Sequence, residues 1–381
     1  MNIAKIIGDN LKKIQEEYGY SQKEMGDIIG VTRQTIAKYL NGEQVLDSGK
    51  LYQMAKHFNK SIDYFLAPDD EEQKLAFMFR ADDPANNFTK KLRNHISKRF
   101  NFYHEVINLS DSQIKDYIPE EYNLNLKGSK LSGEEKEVIE EIAEKQRRYM
   151  GVDDATGINV FKVFEENNIN IVAEDINNSK LEALSAYSKE KGAFIFINDS
   201  PNKPEERKVF SVAHELGHLI MHRDEYSKEA EDLKYTNSRI KDIREKAANH
   251  FAMTFLVSPK ILKRHYNYQL DGFIDLELIY DIKQDFGVSA ECLLRALKEY
   301  KIIEDGLYGY LRNSLHQEGF KTEEPEPRKY IKKNEKITAL VKRLIFEDKI
   351  TINKAAEVLN LPLLEMRQKA KGWKKVEYLQ T

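Results

Sequence analysis

Cysteine is almost absent. The one residue, Cys292, cannot form an intramolecular disulfide or build a Cys-rich zinc module, and it suits a reducing compartment. No apolar run approaches the roughly 20 residues that a membrane helix needs, and residues 1–10 lack the basic flank and long apolar stretch of a secretory leader. A dominant charge sign is missing too. Against 60 Lys and Arg stand 63 Asp and Glu, a net charge of −3, so no global cationic field draws nucleic acid and any DNA contact has to be local. The expectation is a soluble cytoplasmic protein without membrane contact. At 381 residues the chain is long enough for two or three domains with cores of their own.

Helical periodicity dominates, and the expected fold class is mainly α with a small β-sheet (α+β). Residues 1–67 read as a five-helix unit. Apolar positions recur at helical spacing from Ile3 to Ile14, Ser21 is placed to cap SQKEMGDII, and Gly30 ends that helix. Thr32 then caps RQTIAKYLN, and two short helices joined by a tight turn form a helix-turn-helix signature. Residues 68–130 read as a helical connector. Within 131–320, Ser132 and Glu135 form a capping box ahead of a long helix. INIVAED, EALSAYS and GAFIFIN then switch to β-branched and aromatic patterning, which predicts about three strands. Helices resume beyond residue 204. KTEEPEPRK, with Pro325 and Pro327, reads as a linker to a basic helical C-terminal region, 321–381, in which 15 Lys/Arg face 9 Asp/Glu, about +6.

The most specific motif is HELGH, His214 to His218, within VFSVAHELGHLIMH. Positions four apart share a helix face, so both imidazoles can reach one cation, and Glu215, one step round, can address a water on it. Gly217 lets another element approach closely. Zinc of this kind takes a third protein ligand and a water. His222 continues the four-residue spacing, but eight residues of helix rise about 12 Å, too far for bonds of about 2.1 Å; it reads as a supporting or structural neighbour. Glu245 in REKAANHFAMTFLVSP has Ala248 and Ala252 on its own face, a strip that would allow close packing on HELGH. Spacing alone leaves Glu245 open between a ligand and an ordinary surface glutamate. A second oxyanion donor is unassigned, with His222 and Tyr187 as candidates. GAFIFIN precedes the metal-motif helix, and an extended substrate is expected to pair with a sheet edge there.

In a helix-turn-helix the second helix offers its N-terminal residues to base edges. Here these are Thr32, Arg33, Gln34 and Thr35, with Lys38 and Tyr39 one turn on and Gln22 at the start of the preceding helix. Arg33 suits guanine and Gln34 adenine in bidentate pairs. Residues 1–66 hold 9 Lys/Arg and 8 Asp/Glu, so focused basic groups, and a homodimer on a palindrome, would have to supply affinity. In the C-terminal region Trp373 among Lys371, Lys374 and Lys375 admits a base-stacking role; a solvated lysine-rich helix pair is the plainer reading.

HELGHLIMH followed by ExxANxFAMxFLVSP, with GAFIFIN upstream, resembles the ImmA/IrrE family of bacterial metallopeptidases over roughly residues 130–300, and the N-terminal unit resembles the XRE class of regulators. FLVSP departs from the family's usual LLMP. The resemblance implies a zincin-like domain, one Zn2+ per chain held by His214, His218 and Glu245, Glu215 as catalytic base, and fusion to a reader of a double-stranded DNA operator. It further implies stress-responsive cleavage of a repressor, an antitoxin or the chain itself, under a nucleic-acid or small-molecule inducer. The rival is a non-catalytic repressor or antitoxin whose zincin domain senses a ligand or partner; Glu215, which a pure zinc scaffold does not need, favours the enzyme.

Overall fold

A computed structural model describes residues 3–58, 60, 62–66, 76–79, 90–110, 120–124, 126, 128–176, 181–188, 191–223, 238–321 and 323–377. The chain divides into two compact units, Met1–Lys74 and Leu75–Thr381. The boundary expected at 67–68 lies outside the described residues.

The first unit has five helices: α1 (Ile3–Tyr18), α2 (Gln22–Ile29), α3 (Arg33–Leu40), α4 (Ser48–His57) and α5 (Ile62–Leu66). Ser21 and Glu24 form a reciprocal capping box at α2, and Gly30 ends it in the left-handed conformation, φ 68°. Thr32 caps α3 by accepting from the Thr35 N–H. A Cβ at Gly8 would lie 2.5 Å from the Tyr39 carbonyl oxygen, so only glycine lets α1 approach α3 this closely. Leu11, Ile14, Met25, Ile36, Met54 and Phe65 fill the core.

The second unit runs β1 (Ala76–Phe79), α6 (Lys90–Leu109), α7 (Gly133–Tyr149), α8 (Val160–Glu166), β2 (Ile169–Glu174), β3 (Ala183–Ser188), β4 (Gly192–Asn198) and α9 (Glu205–Met221). It continues with α10 (Ser238–Leu256), α11 (Pro259–Leu270), α12 (Leu276–Phe286), α13 (Ala290–Glu299), α14 (Asp305–Gln317), α15 (Glu335–Phe346), α16 (Ile352–Leu359) and α17 (Leu363–Glu377). The three expected strands are present, and a fourth, β1, joins them from the stretch read as helical connector. The sheet order is β1-β3-β4-β2, antiparallel except for the β2–β4 pair.

Strand side chains alternate between the two faces of a sheet, and both faces are covered here. Ile171, Ala183, Ala193, Ile195 and Ile197 enter one core with α7–α14. Val172, Leu184, Ala186, Phe194 and Phe196 enter a second core with α6 and α15–α17. The near-continuous apolar run of GAFIFIN follows from this double burial.

Three expectations need correcting. GAFIFIN offers no edge to a substrate, because β4 lies between β3 and β2. The stretch around Pro325 and Pro327 is no free linker: the Arg328 N–H donates to Glu206 at 2.7 Å, the Arg328 guanidinium to the Gly157 carbonyl at 2.9 Å, and Glu324 accepts from the Ala290 N–H at 3.1 Å. Finally, α15–α17 form no solvated pair. Ile337, Val341, Leu344, Ala355, Val358 and Met366 are buried, and Trp373 packs half-buried against the same core. Beyond the Pro325–Pro327 stretch, Asn334 uses its carboxamide in two hydrogen bonds, 2.9 and 2.8 Å, with the Ala173 backbone of β2.

Candidate metal centre

The metal motif lies on α9, a helix buried along nearly its whole length. Its first turn holds Glu205 and Glu206, both buried; Lys208 and Lys333 bond the first and Lys283 the second. Next to it runs α10. A Cβ at Gly217 would stand 3.0 Å from the Phe251 ring and 3.3 Å from the Ala248 Cα, so the glycine and the small Ala248 and Ala252 set how near the two helices come. That crossing brings Glu245 onto the histidines.

The Nε2 atoms of His214 and His218 are 2.9 Å apart. Glu245 Oε2 lies 3.4 Å from the first and Oε1 3.3 Å from the second. One ligand atom from each residue falls within 4.8 Å of the others. Two metal–nitrogen bonds of about 2.0–2.1 Å in a tetrahedral site place their nitrogens about 3.3 Å apart, so the donor set fits a single small cation. Burial raises the Glu245 carboxyl pKa, but the hydrogen bonds with His214 and His218 outweigh it and hold the group well below the usual carboxylate range.

Each imidazole is oriented from behind. Asn249 Oδ1, one turn after Glu245, lies 3.0 Å from His214 Nδ1 and can only accept there, which leaves the Nε2 lone pair for a cation. His218 Nδ1 is 2.9 Å from His222 Nδ1. His222 is buried just past the end of α9; desolvation, then the neighbouring His218 and Arg244, hold its pKa well below the ordinary histidine range. It stands behind His218 and is no member of the triad. Glu215 turns to the sheet, where Ser185 Oγ of β3 donates to its Oε2 at 2.5 Å. Tyr187, two residues along β3, lies under the Arg223 guanidinium at 4.6 Å, a contact that occupies a face of its ring.

Sequence reasoning missed Asn249 and Ser185. The signal for Asn249 was the four-residue step from Glu245, which shares a helix face; for Ser185 it was a polar residue on the strand face occupied by Ala183 and Tyr187.

In the first unit Arg33, Gln34 and Lys38 are exposed on α3, with Gln22 and Thr35 half-buried. The Thr32 hydroxyl lies 3.0 Å from that of Thr35 and caps the helix. Tyr39 corrects the expectation: it is only 3 % exposed and belongs to the core, so its ring cannot lie on a DNA-facing surface.

Residues 164–298 match the IrrE N-terminal-like domain of the M78 peptidases, and residues 11–65 match a helix-turn-helix domain. An XRE-type helix-turn-helix domain is fused to an IrrE/ImmA peptidase-like domain. The match to the IrrE/ImmA-like domain contains His214, Glu215, His218 and Glu245. An HTH-type transcriptional regulatory protein of Pyrococcus furiosus is 26 % identical over 99 residues, 25 % of this chain and 30 % of that protein. The SPbeta prophage-derived HTH-type transcriptional regulator of Bacillus subtilis is 36 % identical over 61 residues, 16 % of this chain and 56 % of that one. The chain thus spans about a third and about half of these curated relatives. A Mycobacterium tuberculosis transcriptional regulator of known structure covers 51 % of each chain at 17 % identity and a TM-score of 0.31, too distant to carry an argument. No helix among the described residues is long and apolar enough to cross a membrane.

Proposed function

We propose that the chain is a DNA-binding regulator with zinc-dependent peptidase activity, which cleaves a partner repressor or antitoxin, or itself. The observation that carries this reading is the convergence of His214, His218 and Glu245 beside a glutamate that is not part of the triad. Glu215 is the residue such a site needs as base and a structural metal site does not. When bound, zinc lowers the pKa of a coordinated water toward ~7 and polarises the scissile carbonyl. Glu215 takes the proton of the attacking water and delivers it to the leaving nitrogen. Ser185 fixes the rotation of that carboxylate, and Asn249 keeps His214 in the tautomer that leaves Nε2 unprotonated.

Glu215→Gln is expected to keep its zinc and lose cleavage by about 10²–10⁴-fold, the usual worth of a positioned acid–base group. Zinc-loaded wild type and variant are incubated alone and with candidate repressors and antitoxins, and fragments are measured by intact mass. Equal fragmentation by both, or none by a fully metallated wild type with any partner, would leave a regulator without catalysis.

DNA is read by α3 in this proposal. Arg33 and Gln34 are exposed at its start and meet base edges, Lys38 meets phosphate, and Gln22, Thr32 and Thr35 flank them. Arg33→Ala and Gln34→Ala should each weaken operator affinity by about 1–3 kcal/mol, while Tyr39→Phe leaves it unchanged. Operator titration at fixed salt checks both; undiminished affinity in the Arg33 and Gln34 variants would move the interface off α3.

A further inference from the structure

β3 has two long sides. One pairs with β4, and the other pairs with the four-residue β1, which begins one residue after the start of the second unit. The pairing is antiparallel, with Met78 opposite Ser185, Phe77 opposite Ala186 and Ala76 opposite Tyr187. Ser185 is the residue whose hydroxyl holds Glu215. Neighbouring strands lie about 4.8 Å apart, so the β1 backbone at Met78 runs one strand spacing from the side chain that positions the base. The opposite edge of the sheet, on β2, is partly engaged by the Asn334 carboxamide.

An uncovered strand edge binds extended chains through main-chain hydrogen bonds, and it accepts one strand at a time. We propose that the outer edge of β3 is the docking edge for an extended, apolar peptide segment, and that β1 is its internal occupant, which a protein substrate must displace. The partner chemistry follows from the occupant, whose sequence is AFMF in antiparallel register. The segment after the helix-turn-helix unit thereby holds the peptidase-like unit closed to other strands. The inference rests on the peptidase reading for its meaning, but its test does not depend on turnover.

The test uses the full chain. Phe77→Pro with Met78→Pro removes a backbone N–H at both strand parities, so whichever of the two points at β3 is lost. A second variant replaces 76–79 by Gly-Ser-Gly-Ser, which keeps the length. Amide exchange at residues 183–188 is expected to accelerate at least tenfold in both variants. A fluorescently labelled peptide of residues 73–82 is expected to bind them at least tenfold more tightly than it binds wild type. Zinc content, read in the same samples, reports whether the metal centre is intact. Unchanged exchange at 183–188, or equal peptide affinity in wild type and variants with zinc retained, would overturn the proposal. Tight peptide binding without any cleavage by wild type or variants would sink the peptidase reading and leave the occupied edge standing.

Discussion

Ending the chain after residue 320 is expected to abolish the cooperative unfolding of the unit that carries the metal-ligand cluster. The truncation removes α15–α17, and with them the buried Ile337, Val341, Leu344, Ile345, Val358 and Met366. Burying one large aliphatic side chain contributes about 1.5–3 kcal/mol, so six amount to roughly 10 kcal/mol or more, comparable with the whole stability of a domain at about 5–15 kcal/mol. It also removes part of the core that holds Leu184, Phe194 and Phe196 and takes Lys333 away from Glu205. A gentler probe is Lys333→Met. The Lys333 ammonium lies 2.7 Å from Glu205 and 3.0 Å from Asp199, with its side chain 1 % exposed. Breaking a buried pair of this kind costs about 3–5 kcal/mol, and denaturant unfolding followed by zinc release should register it. A truncated chain that melts as the full one does would mean that the second core contributes little.

The other large effect concerns the metal. Wild type reconstituted with zinc should hold about one ion per chain, and His214→Ala and Glu245→Ala should each reduce this to a trace after dialysis. Asn249→Ala removes no ligand; it removes the group that fixes His214 Nδ1, and should weaken zinc binding about 10–100-fold. Competition with a chelator of known affinity gives all the values on one scale. Stoichiometric zinc in Glu245→Ala would show that the third ligand has been misassigned, and an Asn249→Ala affinity equal to wild type would leave His214 orientation to packing alone.

The histidine pair was legible because helical period is a property of sequence: four residues apart is one face whatever the fold. Glu245 was only half legible. Its alanine strip indicated close packing, but which helix it met is a fact of three dimensions, as are the Ser185–Glu215 and Asn249–His214 contacts. The double burial of GAFIFIN was written in its apolar run, whereas its interior place in the sheet was not. Strand order depends on which segments return to pair, and the one that returned on the β3 side came from a stretch read as helical. Composition misled most in the C-terminal region. Lys349, Lys369 and Lys371 are exposed, but the helices they accompany have inner faces, Ile337, Val341 and Leu344 at steps of four and three, that carry an ordinary core stripe. Tyr39 erred for a related reason, since a helix that reads DNA must also have a buried side.

The covering of the sheet by α15–α17 also imposes an order in time. Every other element of both cores is translated before them, and the helix-turn-helix unit precedes all of it. At about 5–20 residues per second, synthesis of Leu75–Thr381 takes on the order of 15–60 s. Through that interval the first unit can fold on the emerging chain while α6, already packed on Phe194, waits for the rest of the second core. A chain released early would therefore carry a finished helix-turn-helix unit on a second unit whose outer core is incomplete.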